Sequence, residues 1–291
     1  MVAQPEPPRQ WCGDVHGIGS SAIEPGSRTT AGGTRTDGGL GARLGQSWSR
    51  LRWWAWRGYT RRTAARRYPP DFEPSDIELW GRIRPYTMTT PTRVYTLVRA
   101  VEYVSKNRVP GAIVECGVWR GGSMMAVALT LLRLGDTSRE LYLFDTFEGM
   151  TQPGTHDVTP SGESAADILA RSDYSSNIWA IASLEDVREA LRGVGYPEER
   201  IHFVKGPVEA TIPDGAPDNI ALLRLDTDWY ESTKHELVHL FPRLERSGVL
   251  ILDDYGHWQG ARQAVDEYIG ENELQLLLSR IDETGRIAVK T

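Results

Sequence analysis

The chain has 291 residues, 40% of them hydrophobic and 25% charged, enough to bury one full-sized core. Only Cys12 and Cys116 occur, so a disulfide framework and a cysteine metal site are both excluded, and any metal must sit on oxygen or imidazole. The net charge of -6 is uneven: residues 1–68 hold 11 Arg against 4 acidic residues, leaving 22 basic and 35 acidic side chains for the remainder, a balance that argues against a nucleic-acid-binding body.

Residues 1–45 are rich in Gly, Ser, Thr and Pro and lack hydrophobic periodicity, the composition of a disordered tail. Trp48, Trp53, Trp54 and Trp56 then alternate with Arg50, Arg52, Arg57, Arg61, Arg62, Arg66 and Arg67, which reads as a basic arm or short amphipathic helix ending the 1–68 tail. No run of about eighteen apolar residues and no secretory signal pattern is present, so the expectation is a cytoplasmic protein without stable membrane insertion. Residues 69–291 read as one folded domain. Short Val-, Ile- and Leu-rich runs alternate with stretches of helical spacing, which predicts a doubly wound, mostly parallel α/β fold. The predicted strands are Ala112–Cys116, Leu141–Phe144, Ile201–Val204, Ile220–Leu225 and Val249–Leu252. The predicted helices are Thr92–Lys106, Ser123–Leu134, Leu184–Arg192, Ser232–Leu244 and Ala261–Ile269, with Pro91 starting the first and Gly248 turning from the fourth into a strand. The long connection from Thr146 to Ile181 is expected to be a mobile lid.

In such a sheet ligands bind beyond the carboxyl ends of the strands, so the residues ending each run carry the information. The first strand leads into Glu115-Cys116-Gly117-Val118-Trp119-Arg120-Gly121-Gly122-Ser123, a glycine turn where backbone can approach a ligand. Its glycine spacing does not match a dinucleotide fingerprint, whereas a phosphate-free adenosine ligand such as S-adenosylmethionine (SAM) fits, with Glu115 available to its polar groups. Asp145, ending the second strand, is placed to accept both ribose hydroxyls. Val208, in the Lys205-Gly206-Pro207-Val208-Glu209 turn, is a candidate apolar contact for adenine, although an ordinary connection accounts for the turn equally well.

The fourth and fifth strands end Leu225-Asp226-Thr227-Asp228 and Leu252-Asp253-Asp254-Tyr255-Gly256-His257. Carboxylates gathered there raise one another's pKa unless a cation neutralises them, and an all-oxygen set favours a hard ion such as Mg2+. Asp226, Asp253 and Asp254 are the candidate ligands. Such an ion lowers the pKa of an acceptor hydroxyl, with Asp226 as proton acceptor and His257 as a second candidate base or substrate contact; a structurally satisfied histidine is the alternative for His257. His235-Glu236-Leu237-Val238-His239 also fits a zinc-protease pattern, against which stand Lys234 and the lack of an evident third ligand; the competing reading is a pair of histidines on a sheet-covering helix.

Over about Arg84 to Ile269 these blocks resemble the macrocin O-methyltransferase family. The resemblance rests on Arg84-Pro85-Tyr86-Thr87-Met88-Thr89, Val114–Ser123, Asp145-Thr146-Phe147-Glu148-Gly149-Met150, Leu225-Asp226-Thr227-Asp228-Trp229-Tyr230-Glu231-Ser232-Thr233, and Asp253–Ala261. It implies a class I SAM-dependent methyltransferase fold, Mg2+ on Asp226, Asp253 and Asp254, and Asp226 as base. It also implies that Met88 and Thr89 help close the pocket, and that the acceptor is a sugar hydroxyl on a small glycoside, of the macrolide deoxysugar kind. By the same analogy a homo-oligomer is expected. The long tail before Tyr68, His235 and His239 depart from the family pattern. Methylation of a catechol-like phenol is the alternative within the same chemistry.

Overall fold

The computed structural model describes residues 68–291, so the expectations for the tail and its Trp- and Arg-rich segment lie outside the described residues. The first helix, α1 (Pro74–Ile83), was not anticipated. Glu73 and Asp76 form a reciprocal capping box ahead of Leu79 and Ile83, which are buried. Helix α2 (Pro91–Lys106) begins at Pro91, and the Thr90 hydroxyl accepts from Arg93 N at 3.2 Å. Then follow β1 (Ala112–Cys116), α3 (Gly122–Leu134), β2 (Leu141–Asp145), α4 (Ala165–Arg171), α5 (Leu184–Arg192), β3 (Ile201–Lys205), a single-turn α6 (Val208–Thr211) and β4 (Ile220–Leu225). The chain closes with α7 (Tyr230–Leu240), β5 (Leu244–Leu252), α8 (Gln259–Glu271), β6 (Ser279–Arg280) and β7 (Arg286–Val289).

The sheet runs β3-β2-β1-β4-β5-β7-β6; the first five strands are parallel, β7 is antiparallel to β5, and β6 pairs antiparallel with β7. Consecutive residues on each strand serve opposite layers. Ile113, Leu222 and Val249 pack against α2 and α3 through Val98, Val101, Met124 and Leu131. Val114, Leu223 and Leu250 face α7 and α8 through Leu237, Leu240 and Val265. Because β1 lies between β2 and β4, strand order reverses there, and the carboxyl ends of β1 and β4 border a crevice.

Two predicted boundaries move for identifiable reasons. The helix expected over Ser232–Leu244 runs from Tyr230 to Leu240 and gives way to a 3-10 turn at Phe241–Arg243, where Pro242 has no amide hydrogen to continue the ladder. Strand β5 starts at Leu244 instead of Val249: Leu244 pairs with Ile220 and Val249 with Leu222, so residues 245–248 bulge out. Gly248 is therefore inside the strand, and Ser247 carries the positive φ of 65°.

The long connection after β2 holds α4 and is folded against the body. Asp157 is fully buried; its Oδ1 accepts Tyr230 N and its Oδ2 accepts Gly154 N, both at 2.7 Å. Trp229 donates its indole N–H to Thr151 O at 3.1 Å, and Ala165 and Leu169 pack on Trp229 and Trp258. The insertion thus shares a small core with the body through Trp229, Trp258 and Ala261.

Candidate active site

Ladder hydrogen bonds continue past the strand ends and fix the loops that follow. Gly117 N donates to Phe144 O at 2.9 Å, Asp226 N to Cys116 O at 2.9 Å, and Asp253 N to Leu225 O at 3.0 Å. They surround a cavity of about 450 Å3, within the range of small-molecule sites. Thr89, Gly117, Trp119, Ser123, Asp145, Val208, Asp226, Asp253, Asp254 and His257 all line it.

The glycine turn is built by close approach. Gly117 has φ 81°, and a Cβ there would sit 1.9 Å from Asp226 O, so no side chain is tolerated where β1 meets the Asp226 loop. At Gly122 a Cβ would meet Tyr86 O at 2.5 Å, because the Arg84–Thr89 segment crosses the start of α3 and brings Met88 and Thr89 to the rim. Thr89 Oγ1 is buried without a hydrogen-bond partner among the described residues, a polar atom left for a ligand.

Asp145 differs from the expectation. Its Oδ2 accepts Val118 N at 2.6 Å and Trp119 N at 3.0 Å, while Oδ1 accepts Phe147 N at 2.7 Å. With most of its lone pairs engaged, it fixes the glycine turn to β2 and can offer a ribose one acceptor position instead of two. Glu115 is also corrected. It does not line the cavity; it is 1% exposed beneath it, where its Oε1 accepts Arg224 Nη1. Burial pushes its pKa up to about 7 against the pull of Arg224.

The acidic ends of β4 and β5 converge. Ligand atoms of Asp226, Asp253 and Asp254 all lie within 4.8 Å of one another. Burial raises Asp226 well above the usual carboxylate range, Arg224 opposes this, and Asp253 and Asp254 add to it; burial, Asp228 and Asp253 do the same to Asp254. Burial, followed by Asp226, lifts Asp228 to about 7, and its Oδ1 accepts Trp258 Nε1 at 2.7 Å. Beneath the cluster Arg224 Nη2 stands 2.8 Å from both Asp226 Oδ2 and Asp253 Oδ1, and Asp253 Oδ1 remains without a well-directed hydrogen bond. Oxygen-only donors that resist ionising together, with a buried acceptor unfilled, fit a hard dication.

His257 sits at the cavity wall, its ring edge-on to Trp258 at 4.9 Å, and makes no ring hydrogen bond among the described residues. The residue is exposed at the cavity rim, and desolvation, then Arg93, lowers its pKa, which favours the neutral imidazole. Arg224 and Arg93 were not foreseen as site residues. An arginine inside the otherwise apolar Ile220–Leu225 run was a readable signal for the first; Arg93, 160 positions from Asp253, carried none.

The zinc reading fails on geometry. His235 Nε2 lies 3.0 Å from Ile212 O and is engaged as a donor, while Glu236 points into the core, fully buried, accepting from Thr227 Oγ1 at 3.2 Å. The two imidazoles are ordinary partly buried residues on α7, with no third ligand among the described residues.

The sequence profile of the macrocin-O-methyltransferase (TylF) family matches residues 64–289. This chain belongs to that family. It is similar to 8-demethyl-8-(2,3-dimethoxy-alpha-L-rhamnosyl)-tetracenomycin-C 4'-O-methyltransferase of Streptomyces olivaceus, 36% identical over 219 residues, 74% of this chain and 81% of the relative. Demethyldecarbamoylnovobiocin O-methyltransferase of Streptomyces niveus is 33% identical over 69% of this chain and 74% of its own length. The solved O-methyltransferase NovP superposes with a TM-score of 0.61 at 33% identity, covering 71% of this chain and 82% of its own. Calicheamicin methyltransferase CalS11 shares the fold at 19% identity and TM-score 0.55, covering 90% of this chain and 99% of its own. The macrocin O-methyltransferase family member described here is therefore a methyltransferase with a class I SAM-dependent fold, and the zinc-protease alternative is set aside. Among the described residues no helix is long and apolar enough to cross a membrane.

Proposed function

We propose that the protein transfers a methyl group from SAM to a sugar hydroxyl of a glycosylated natural product, of the macrolide deoxysugar kind, with Mg2+ held by Asp226, Asp253 and Asp254. The observation that carries the reading is the convergence of those carboxylates on the wall of one cavity with the glycine turn and Thr89. The named activities of the tetracenomycin and novobiocin relatives, and of mycinamicin III 3''-O-methyltransferase of Micromonospora griseorubida at 28% identity, support a glycoside acceptor.

When bound, SAM supplies an electrophilic sulfonium methyl and the dication supplies charge that lowers the pKa of a neighbouring hydroxyl. Asp226 would take the hydroxyl proton on whichever oxygen the dication leaves free, with Arg224 Nη2, 2.8 Å from Oδ2, orienting the side chain. Arg224 fixes the Asp226 and Asp253 side chains, Gly117 admits the donor close to the backbone, and the Met88–Thr89 rim limits water at the reacting atoms. His257, neutral and facing the cavity, contacts the acceptor and can take the proton onward.

The test is methyl transfer from labelled SAM to a panel of rhamnosyl and deoxysugar glycosides and to simple catechols. Turnover of glycosides, abolished by EDTA and restored by Mg2+, is the expected result. Turnover of catechols alone would reassign the acceptor, and unchanged turnover in EDTA would remove the metal.

A further inference from the structure

Both oxygens of Asp253 face a guanidinium, although only Oδ2 accepts a well-directed hydrogen bond. Oδ1 lies 2.8 Å from Arg224 Nη2, and Oδ2 accepts Arg93 Nη1. A dication reaching this carboxylate must therefore share it with two guanidinium groups or displace one. Arg224 is committed: its side chain is 5% exposed, and its departure would strand Glu115 in the core. Arg93 is not. Its side chain is 16% exposed and lines the cavity, and it already holds a second carboxylate, donating Nε to Asp282 Oδ2 at 2.8 Å and Nη2 to Thr284 Oγ1.

The second anchor is well built. Asp282 Oδ1 accepts Thr284 N at 3.1 Å and Gly285 N at 2.8 Å, and its Oδ2 also lies 3.3 Å from the hydroxyl of Thr90, the residue capping α2. Arg93 thus joins three parts of the molecule: the metal-facing Asp253, the β6–β7 hairpin, and the helix start that carries the Met88–Thr89 rim.

Resting on the dication reading above, we propose that Arg93 is the resident counter-ion of Asp253, neutralising the cluster without metal and withdrawing onto Asp282 and Thr284 when metal binds. Two cations on one carboxylate repel, and the more exposed, doubly anchored one yields. Arg93 is then a positioning residue that sets how tightly the site holds its ion and tells the rim whether the ion is present.

The experiment is calorimetric titration of the full chain, stripped of metal, with Mg2+. Arg93→Met should bind roughly tenfold tighter, the scale of losing one like charge at a partly exposed site. Arg93→Lys should fall between it and wild type. Asp282→Asn, which leaves Asp253 as the one carboxylate paired with Arg93, should bind several-fold more weakly. Hydrogen exchange adds a readout that a general charge effect would not move: Mg2+ should increase protection at Thr284 and Gly285 in the wild type and leave Arg93→Met unchanged. Equal or weaker binding by folded Arg93→Met, or no metal-dependent protection of the hairpin, would overturn the proposal. Should Arg93→Met not fold, unchanged or tighter binding by Asp282→Asn would do so. If wild type binds S-adenosylhomocysteine but no Mg2+, the dication reading itself fails, an outcome separate from normal metal binding that ignores Arg93.

Discussion

Replacing Asp226 with Asn keeps the side chain's shape while removing a proton acceptor and a charged ligand atom. Methyl transfer by Asp226→Asn should fall by about 10^2- to 10^4-fold, the usual contribution of a positioned base, while S-adenosylhomocysteine still binds in the same calorimeter cell; retained activity would assign the base elsewhere. His257→Asn provides the comparison, and a larger loss there than at Asp226 would reverse the two roles. Arg224 is tested by stability instead. Arg224→Met leaves Glu115 buried without its partner and should cost about 3–5 kcal/mol in urea unfolding, with Glu115→Gln in the same chain restoring part of it. At this scale the acids were legible because they directly follow apolar runs, where a carboxylate adds nothing to the core and so points to a ligand. The partners of those acids were not. The ion pairs from Arg93 to Asp253 and from Arg224 to Glu115 span 160 and 109 positions and depend on which strands become neighbours.

Among the elements, the insertion after β2 bears on access to the cavity. Its anchor is Asp157, which satisfies two amide donors, one of them at the start of α7. Asp157→Ala should cost about 1–3 kcal/mol for the unsatisfied donors and speed exchange at Gly154, Ala165 and Tyr230; unaltered exchange there would show that other contacts hold the insertion. Uniform strong protection across residues 151–173 without ligand would rule out a lid that opens. A second element-level prediction concerns the β2–β3 junction. Glu140 is held below its ordinary pKa first by His202, whose Nε2 lies 2.6 Å away, and also by Arg200. Its folded pKa is depressed, so the stability it contributes is present above its unfolded pKa near 4.5 and lost as pH falls through the folded value. Thermal melts of Glu140→Gln should match wild type at low pH and fall below it above that window, by well under 1 kcal/mol since the group is largely solvated.

The central parallel strands β1 and β4 were readable because double burial makes them nearly continuous apolar runs, while the edge strand β3 was readable from Ile201, Phe203 and Val204 although it is only partly buried. The antiparallel β6–β7 pair was not, since Ser279–Arg280 is exposed on both faces and Arg286–Val289 is short. Helix α1 was missed even though its Glu73–Asp76 capping box is local, because only three of its residues are buried and its apolar stripe is thin.

For the whole molecule, the order of strands places the acids of β4 and β5 beside the glycine turn of β1, and no local pattern contains that adjacency. On the proposed dication reading the three carboxylates converge only in the folded chain, so Mg2+ at about a hundred times its dissociation constant should stabilise the wild type by about 2.7 kcal/mol and EDTA should lower its melting temperature, with no such response from Asp226→Asn. The most direct test is a crystal of the protein grown with S-adenosylhomocysteine and Mn2+, with anomalous data collected for the metal. A single anomalous peak coordinated by one oxygen from each of Asp226, Asp253 and Asp254, next to the bound cofactor product, is the predicted result. A cavity that holds S-adenosylhomocysteine with no peak at those carboxylates would contradict it.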